Sequence, residues 1–245
     1  ISLIRSVFKN YDLQFLRSAR GFKIVSGLFT KREVSALDHK IQHISWSDNL
    51  LKQWIGFKDL SLNQTSSTEL NTKQNIRIPG CNNFHINEVV ATLFGKTNFE
   101  EFELKQIDKR YFTRFAWIVG ILFFIAITAA VILDQLDKIF PAFIFGAYFI
   151  ATRYISFTKK SYGHNHELLF VKGGIFGDKA EVLPMYKIQA LELHQSPYQS
   201  RHKLCSLSLY TASGRLTIPY IPLVDGQIIA DTLIFKVESD KRKWM

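Results

Sequence analysis

The histidines are the first residues of this chain whose spacing could support chemistry. His39 and His43 lie four positions apart, and His164 and His166 flank a single asparagine. In an extended strand, a spacing of four puts both side chains on one face but about 13 Å apart. No cysteine or carboxylate cluster completes either set as a ligand shell. The sequence therefore predicts solvated loop histidines, with no metal site and no cofactor.

Catalytic motifs are equally scarce. The chain has no nucleophile elbow, no paired-carboxylate motif and no glycine-rich loop that would cradle phosphates. Gly173 and Gly174 are better explained by a turn that needs positive φ, and Cys81 and Cys205 form no motif. We therefore predict that the protein is not an enzyme, and we identify no small-molecule substrate.

Positive charge is the remaining chemical signal. The formal net charge of +10 suggests an anionic partner, either nucleic acid or the anionic face of a membrane. Nucleic acid is disfavoured, because no helix combines basic residues with base-reading positions. Headgroup contact and ordinary solvated surface both remain open for the basic clusters. Those considered for lipid headgroups are Lys159, Lys160, Arg201, Lys203 and the tail KRKW at 241–244.

Two apolar segments occupy the centre of the chain. Residues 115–133 carry no charge over 19 positions, and after the polar stretch DQLDK a second apolar run extends from 139 to 152. The first is long enough to cross a hydrocarbon layer about 30 Å thick as a helix. We predict a transmembrane hairpin with spans at about 113–133 and 139–157, the alternative being a buried helical hairpin in a soluble core. Basic residues flank the outer ends of both segments, which favours a cytoplasmic location for both flanking regions.

The regions on either side of the hairpin repeat one another. KIQ at 40–42 recurs at 187–189, an offset of 147 residues, and residues 27–66 then match 174–213 at 9 of 40 positions. IRIP at 76–79 matches LTIP at 216–219 at an offset of 140, so the first copy carries seven extra residues within 67–75. Background composition would give about two or three identities. We therefore predict a first domain at 1–108, the hairpin at 109–157 and a second domain at 158–245.

Each copy has the pattern of a small β domain closed by a helix. Six or seven short strands are expected, with a hairpin at 207–218 and a C-terminal helix that Asp225 would cap in the second copy, and Asn83 or Asn87 in the first. In the KIQ strands, Ile41 and Ile188 should point into the barrel. The flanking polar residues should point outward and could form a shared docking surface: Lys40, Gln42, Lys187 and Gln189.

An ordered set of short motifs marks a family resemblance. GLF at 27–29, GIF at 174–176, the KIQ strands, QSP at 195–197, Arg201 and the IP of the last strand resemble bacterial pleckstrin-homology (PH) domains of the YdbS/YdbT membrane-protein family. The order of domain, two spans and domain is similar to the YdbT type, whose members usually carry further spans upstream. The chain begins without methionine, and we expect it to be a fragment. The resemblance implies a mainly β fold with α elements, in which two split β-barrels, each with a C-terminal helix, flank a transmembrane α-helical hairpin. It implies no settled biochemical activity, and in the first copy SDNLLKQW replaces QSPYQSR.

The leading functional hypothesis is a non-enzymatic scaffold of the bacterial inner membrane, with two cytoplasmic PH-like domains for protein–protein assembly. Its partners would be membrane lipids and either further copies of the chain or a smaller single-domain membrane protein of the same family. Exposed barrel edges would offer strand addition as a route to such partners. The alternatives are a sensor of anionic lipid headgroups, or an accessory subunit of a membrane transport or envelope-stress system.

Overall fold

The computed structural model describes residues 8, 10–65, 76–95, 102–135, 137, 139–165 and 167–239. Three features of the sequence lie outside these residues: the insertion at 67–75, His166 and the KRKW tail. We call the described residues 10–95 the first repeat and the described residues 161–239 the second repeat.

The first repeat consists of two three-stranded antiparallel sheets and a C-terminal helix. β1, β2 and β3 form one sheet, and β4, β5 and β6 form the other. The bounds are β1 (Gln14–Ser18), β2 (Gly21–Ser26), β3 (Arg32–Leu37), β4 (Ile41–Ser47), α1 (Leu50–Ile55), β5 (Lys58–Gln64), β6 (Ile76–Cys81) and α2 (Asn83–Phe94).

The second repeat has the same order of elements. The short strand β7 precedes the helical hairpin in the chain but pairs with β8 of the second repeat. The bounds are β7 (Lys105–Gln106), β8 (Ser161–His164), β9 (Leu168–Gly173), β10 (Lys179–Pro184), β11 (Ala190–His194), α5 (Pro197–Arg201), β12 (Leu204–Thr211), β13 (Gly214–Pro222) and α6 (Leu223–Ser239).

The structure confirms the repeat element by element. β2 and β3 recur 147 residues later as β9 and β10, with the same bounds after the shift, and α2 and α6 begin 140 residues apart. The turns repeat as well. Gly27 has φ +118° and Gly174 has φ +129°, and a Cβ atom at Gly174 would lie 2.0 Å from the carbonyl oxygen of Gly177. The predicted positive-φ turn is therefore confirmed at Gly174 and is present in both repeats.

Helix capping differs in detail from the prediction. The side chain of Asn82, not Asn83 or Asn87, accepts the His85 amide hydrogen at 2.9 Å at the start of α2, and Gly95 follows its last residue as expected. α6 begins at Leu223, so Asp225 lies in its first turn and not at its N-cap. There Asp225 accepts a hydrogen bond from the Tyr162 hydroxyl at 2.9 Å, which gives this carboxylate a tertiary partner.

Two long apolar helices lie between the repeats, α3 (Arg110–Ile132) and α4 (Ile139–Lys159). Both are long and apolar enough to cross a membrane, and almost none of their apolar length is buried inside the protein. They pack on each other through contacts such as the rings of Phe123 and Phe143, whose centroids lie 5.8 Å apart. A core helix of a soluble protein would bury such a surface.

Each repeat encloses its own hydrophobic core. In the first repeat, Ile41, Ile44, Leu60 and Leu62 pack beneath α2, and in the second repeat equivalent strands pack beneath α6. Among the described strands, neither pair of sheets closes into a complete barrel. The fold is thus mainly β with helices, and consists of two PH-like domains with two apolar helices between them.

Candidate functional site

The two repeats share one continuous sheet. β4 of the first repeat pairs antiparallel with β10 of the second, with Ser47 opposite Lys179 and Ile44 opposite Val182. This pairing joins strands in the order β6-β5-β4-β10-β9-β8-β7. An open strand edge, which the sequence analysis expected to be available to other proteins, is thus occupied by the other half of the same chain.

A small apolar cluster covers one face of this junction. The ring of Trp46 on β4 lies 5.8 Å from that of Phe170 on β9, and Phe102 approaches the same ring to 5.5 Å. Ala180 and Val182 complete the buried cluster from β10. Because this burial removes apolar area of both repeats from water, it stabilises their relative orientation.

Lys187 of the second repeat is hydrogen-bonded to the first repeat. Its ammonium donates hydrogen bonds to the carbonyl oxygen of His39, at 2.9 Å, and to that of Ile41. Only 2% of Lys187 is exposed, and burial lowers its pKa from 10.5 to about 8. A buried ammonium without hydrogen-bond partners would be costly, and the two carbonyls of the first repeat supply those partners.

The predicted outward orientation of the KIQ polar residues is correct for two of them and wrong for two. Lys40 and Gln189 are exposed, whereas Lys187 and Gln42 are buried. Gln42 turns inward because the strand register shifts between Ile41 and His43, and its amide donates to the Thr65 hydroxyl at 3.0 Å. Lys187 is buried because the first repeat covers it, which a comparison of isolated repeats cannot show.

The histidine prediction is also corrected at one position. His43 lies on β4, half-buried, and its Nδ1 is 2.9 Å from the Ser213 hydroxyl of the second repeat. Burial lowers the pKa of His43. His39 is exposed in the turn before β4, and the described part of the chain contains no group of metal-ligating residues.

A second set of contacts connects the junction to α4. Asp178, in the turn between β9 and β10, accepts the Asp48 amide hydrogen through its carbonyl at 2.9 Å. Its carboxylate pairs with the Lys159 ammonium at 2.8 Å and accepts from the Gln53 side chain at 3.1 Å. Gly177 lies so close that a Cβ atom there would be 2.1 Å from the Asp48 carbonyl oxygen.

Two of the predicted basic residues lie at the base of the hairpin, and the other two lie on the second repeat. Lys159 is the last residue of α4 and Lys160 follows it; burial, with Arg153 and Lys179 nearby, lowers the pKa of Lys160. Arg201 and Lys203 are exposed at and after the end of α5.

The start of α5 is attached to α3 through Arg114. The Arg114 guanidinium lies 4.9 Å from the Tyr198 ring centroid and donates to the Tyr220 hydroxyl at 2.9 Å. Ser196 caps α5 through a capping box with Gln199. The turn predicted around QSP is therefore a short helix held against the base of the hairpin, and the first repeat forms the equivalent α1 from a different sequence.

The first repeat contains a charged cavity that was not predicted from the sequence. The buried Asp59 carboxylate pairs with Lys52 at 2.5 Å and with Arg77 at 2.6 Å, beside a cavity of about 430 Å³. Burial alone would raise the pKa of Asp59, but these two hydrogen bonds outweigh it and lower the pKa. The second repeat has the neutral pair Gln199 and Ser206 at the equivalent positions, joined at 2.8 Å. The cluster was not predicted because its residues are separated in the sequence.

Both thiols are buried, and burial raises the pKa of Cys81 and of Cys205 to about 11. Such thiols are poor nucleophiles at neutral pH. The geometry thus combines an inter-repeat junction, which fixes the two repeats to each other, with exposed basic residues at the end of α5 that are available for binding.

Comparison with protein families supports this description. A family model described as a bacterial PH domain matches the chain twice, at residues 1–103 and 102–234. A comparison with curated proteins gives no match. PH domains are in general non-catalytic binding modules, and the match points to no family of enzymes. Two matches that together span nearly the whole sequence show that the chain belongs to the bacterial PH domain family.

Proposed function

We propose that this protein is a non-enzymatic, membrane-anchored scaffold, in which two bacterial PH domains act as one assembly platform. The observation that carries the proposal is the β4–β10 pairing, which makes a single seven-stranded sheet from both repeats. Two domains joined in this way present surfaces in a fixed relation, which suits assembly better than the turnover of a substrate.

The proposed location is the bacterial inner membrane, with α3 and α4 as two spans and both domains cytoplasmic. α3 begins and α4 ends at the same end of the hairpin, where Arg114 contacts the second repeat and Lys159 contacts the β9–β10 turn. The basic residues at that end favour the cytoplasmic side. The division into 1–108, 109–157 and 158–245 stays a prediction.

The proposed partners are further copies of the chain or a smaller single-domain membrane protein of the same family, as in a YdbT-like system. β3 and β11 are the equivalents of β10 and β4, and each has a described strand neighbour on one side only. An open strand edge is a route for strand addition. A role as an accessory subunit of a transport or envelope-stress system would use the same surfaces.

The test is the mass of the complex. The full chain would be extracted from membranes at its native expression level in a mild detergent, and its molar mass measured by light scattering after gel filtration. The proposal expects a homo-oligomer or a stoichiometric complex with a membrane protein. A bare monomer across detergents would contradict it.

Sensing of anionic lipid is a second candidate, favoured by the position of four basic residues. Lys159 and Lys160 lie at and after the end of α4, and Arg201 and Lys203 lie at and after the end of α5, whose start contacts Arg114 of α3. Each basic residue near an anionic surface contributes on the order of 1 kcal/mol.

Native mass spectrometry of the full chain from nanodiscs containing phosphatidylglycerol would count retained lipids. Reversal of these four residues to Glu should reduce retention, whereas Lys40→Glu, an exposed lysine on the first repeat, should not. Unchanged retention in the fourfold variant would reject lipid sensing.

A further inference from the structure

Several exposed apolar side chains lie on α1 and in the turn between β9 and β10, which are joined by the hydrogen bond from the Gln53 side chain to Asp178. We call six of them the interfacial patch: Leu50, Leu51, Trp54, Ile55, Ile175 and Phe176. Trp54 is 88% exposed, which is unusual for the largest side chain in a protein. Contiguous exposed apolar surface of this kind marks a contact with another phase or another molecule.

The fold does not need these residue types in α1. The equivalent helix α5 in the second repeat has Pro197, Tyr198, Arg201 and His202 in place of the four α1 members. It nevertheless forms a helix of nearly the same length at the same place. The polar α5 shows that the helix forms without apolar residues at these positions, so helix formation does not account for them in α1.

The patch is attached to the end of α4. The Asp178 carboxylate receives the Lys159 ammonium at 2.8 Å on one oxygen and the Gln53 amide of α1 at 3.1 Å on the other. β8 begins directly after α4, and Ser161 at its start pairs with Lys172 near the end of β9. The β9–β10 turn, which carries Ile175 and Phe176, therefore continues past the start of β8 toward α4.

The positions of charged residues on the hairpin indicate where the membrane surface lies. The Arg153 guanidinium lies over the rings of Tyr111, at 3.8 Å, and Phe115, at 5.2 Å, so it marks the same level on both helices. Lys159 follows six residues later, about 9 Å along the helix axis. The headgroup layer extends roughly 5–8 Å beyond the hydrocarbon. With Arg153 at the edge of the hydrocarbon, the residues held by Lys159 and Asp178 thus lie close to the outer surface of the headgroup layer, within side-chain reach of it.

We propose that the interfacial patch inserts into the headgroup boundary of the bilayer that α3 and α4 span, and so fixes the first repeat to the membrane surface. This inference rests on the proposed function, because it requires the hairpin to span. Tryptophan is enriched at this depth, and short apolar segments bind there with their polar side in water. The polar residues of α1 face the protein, since Lys52 pairs with Asp59 and the Gln53 side chain donates to Asp178, and the apolar residues of α1 are left exposed.

Tryptophan fluorescence in nanodiscs tests the proposal. The chain has four tryptophans, so a Trp54-only form requires Trp46→Phe, Trp117→Phe and Trp244→Phe. The probe is phosphatidylcholine with a doxyl group near the headgroup. Trp54 should lose at least half of its emission to the shallow doxyl lipid and resist iodide. A matched control places the only tryptophan at Ala212, in the β12–β13 turn at the opposite end of β13 from Tyr220, where lipid quenching should be absent.

A Trp117-only form separates the two proposals, since Trp117 is exposed on α3. If Trp117 is quenched by lipid and Trp54 is quenched only by iodide, the patch is solvated and this inference fails while the hairpin stands. If Trp54 is shielded from both quenchers, protein covers the patch and the inference also fails. If neither Trp54 nor Trp117 is quenched by lipid, the membrane-anchored function fails with it.

Discussion

Replacement of Lys187 by methionine should loosen the junction between the repeats. Methionine keeps much of the volume but cannot donate to the carbonyl oxygens of His39 and Ile41. Ile41 is fully buried, so its carbonyl gains no water in exchange. An unsatisfied buried acceptor costs about 1–3 kcal/mol. The variant no longer buries an ammonium group, which offsets part of this cost. We therefore expect a net loss of stability of about 1–2 kcal/mol at pH 7.

Hydrogen exchange measured by mass spectrometry on the full chain in nanodiscs reports this loss locally. Peptides covering β4 and β10 should exchange roughly 5 to 30 times faster in Lys187→Met, if their exchange proceeds by opening of the junction. Lys40→Met changes the same position of the repeat at an exposed site and should leave exchange unaltered. Equal rates in Lys187→Met and wild type, or equal acceleration in Lys40→Met, would refute the assignment of Lys187 as the inter-repeat contact.

Because its pKa is lowered in the folded protein, Lys187 should make stability depend on pH. Its pKa is 10.5 in the unfolded chain and about 8 in the folded protein, so between these values the unfolded state binds more protons. Stability must then rise as the pH increases from about 8 to 10.5, by at most about 3 kcal/mol. Thermal melting of wild type and Lys187→Met across this range measures the difference, and parallel pH profiles would contradict the prediction.

Three further substitutions or conditions test the junction and the charged cluster. Gly177→Ala should destabilise the junction by at least about 1 kcal/mol, because its Cβ atom would meet the Asp48 carbonyl oxygen. Gly120→Ala is the control, since a Cβ atom there meets no atom within 4 Å. The melting temperatures of the two variants measure the difference. Since the pKa of His43 is lowered in the folded state, its stabilising contribution should be full above about pH 6.5 and decline below it, and His43→Gln should remove that dependence. Asp59→Asn should cost about 1–2 kcal/mol at neutral pH, and the difference from wild type should disappear as the pH falls below 3.8 and through the lowered pKa.

The repeat and its strands were predictable because short-range patterns carry them. KIQ, the glycine turns and the apolar alternation survive in both copies, and each reflects a local requirement such as the positive φ of Gly174. The apolar helices were predictable from length and lack of charge alone.

The junction was not predictable, because strand pairing between β4 and β10 leaves no local pattern. Lys187 and Lys40 have the same local sequence, yet only Lys187 is buried. Whether this lysine is buried depends on which strand edge the other repeat covers. Asp59 and its partners were missed for the same reason, since Arg77 is 18 residues away in sequence.

Both repeats are expected to lie on the same side of the membrane, and they share one sheet. Ser45 and Glu181 are directly opposite each other on β4 and β10. With cysteines at both positions, mild oxidation of intact membranes should give an intramolecular disulfide in the monomer, and Ser45→Cys alone should give none. The native thiols of Cys81 and Cys205 are buried and should not interfere. Cysteines that stay free, or that link only separate chains, would contradict the account.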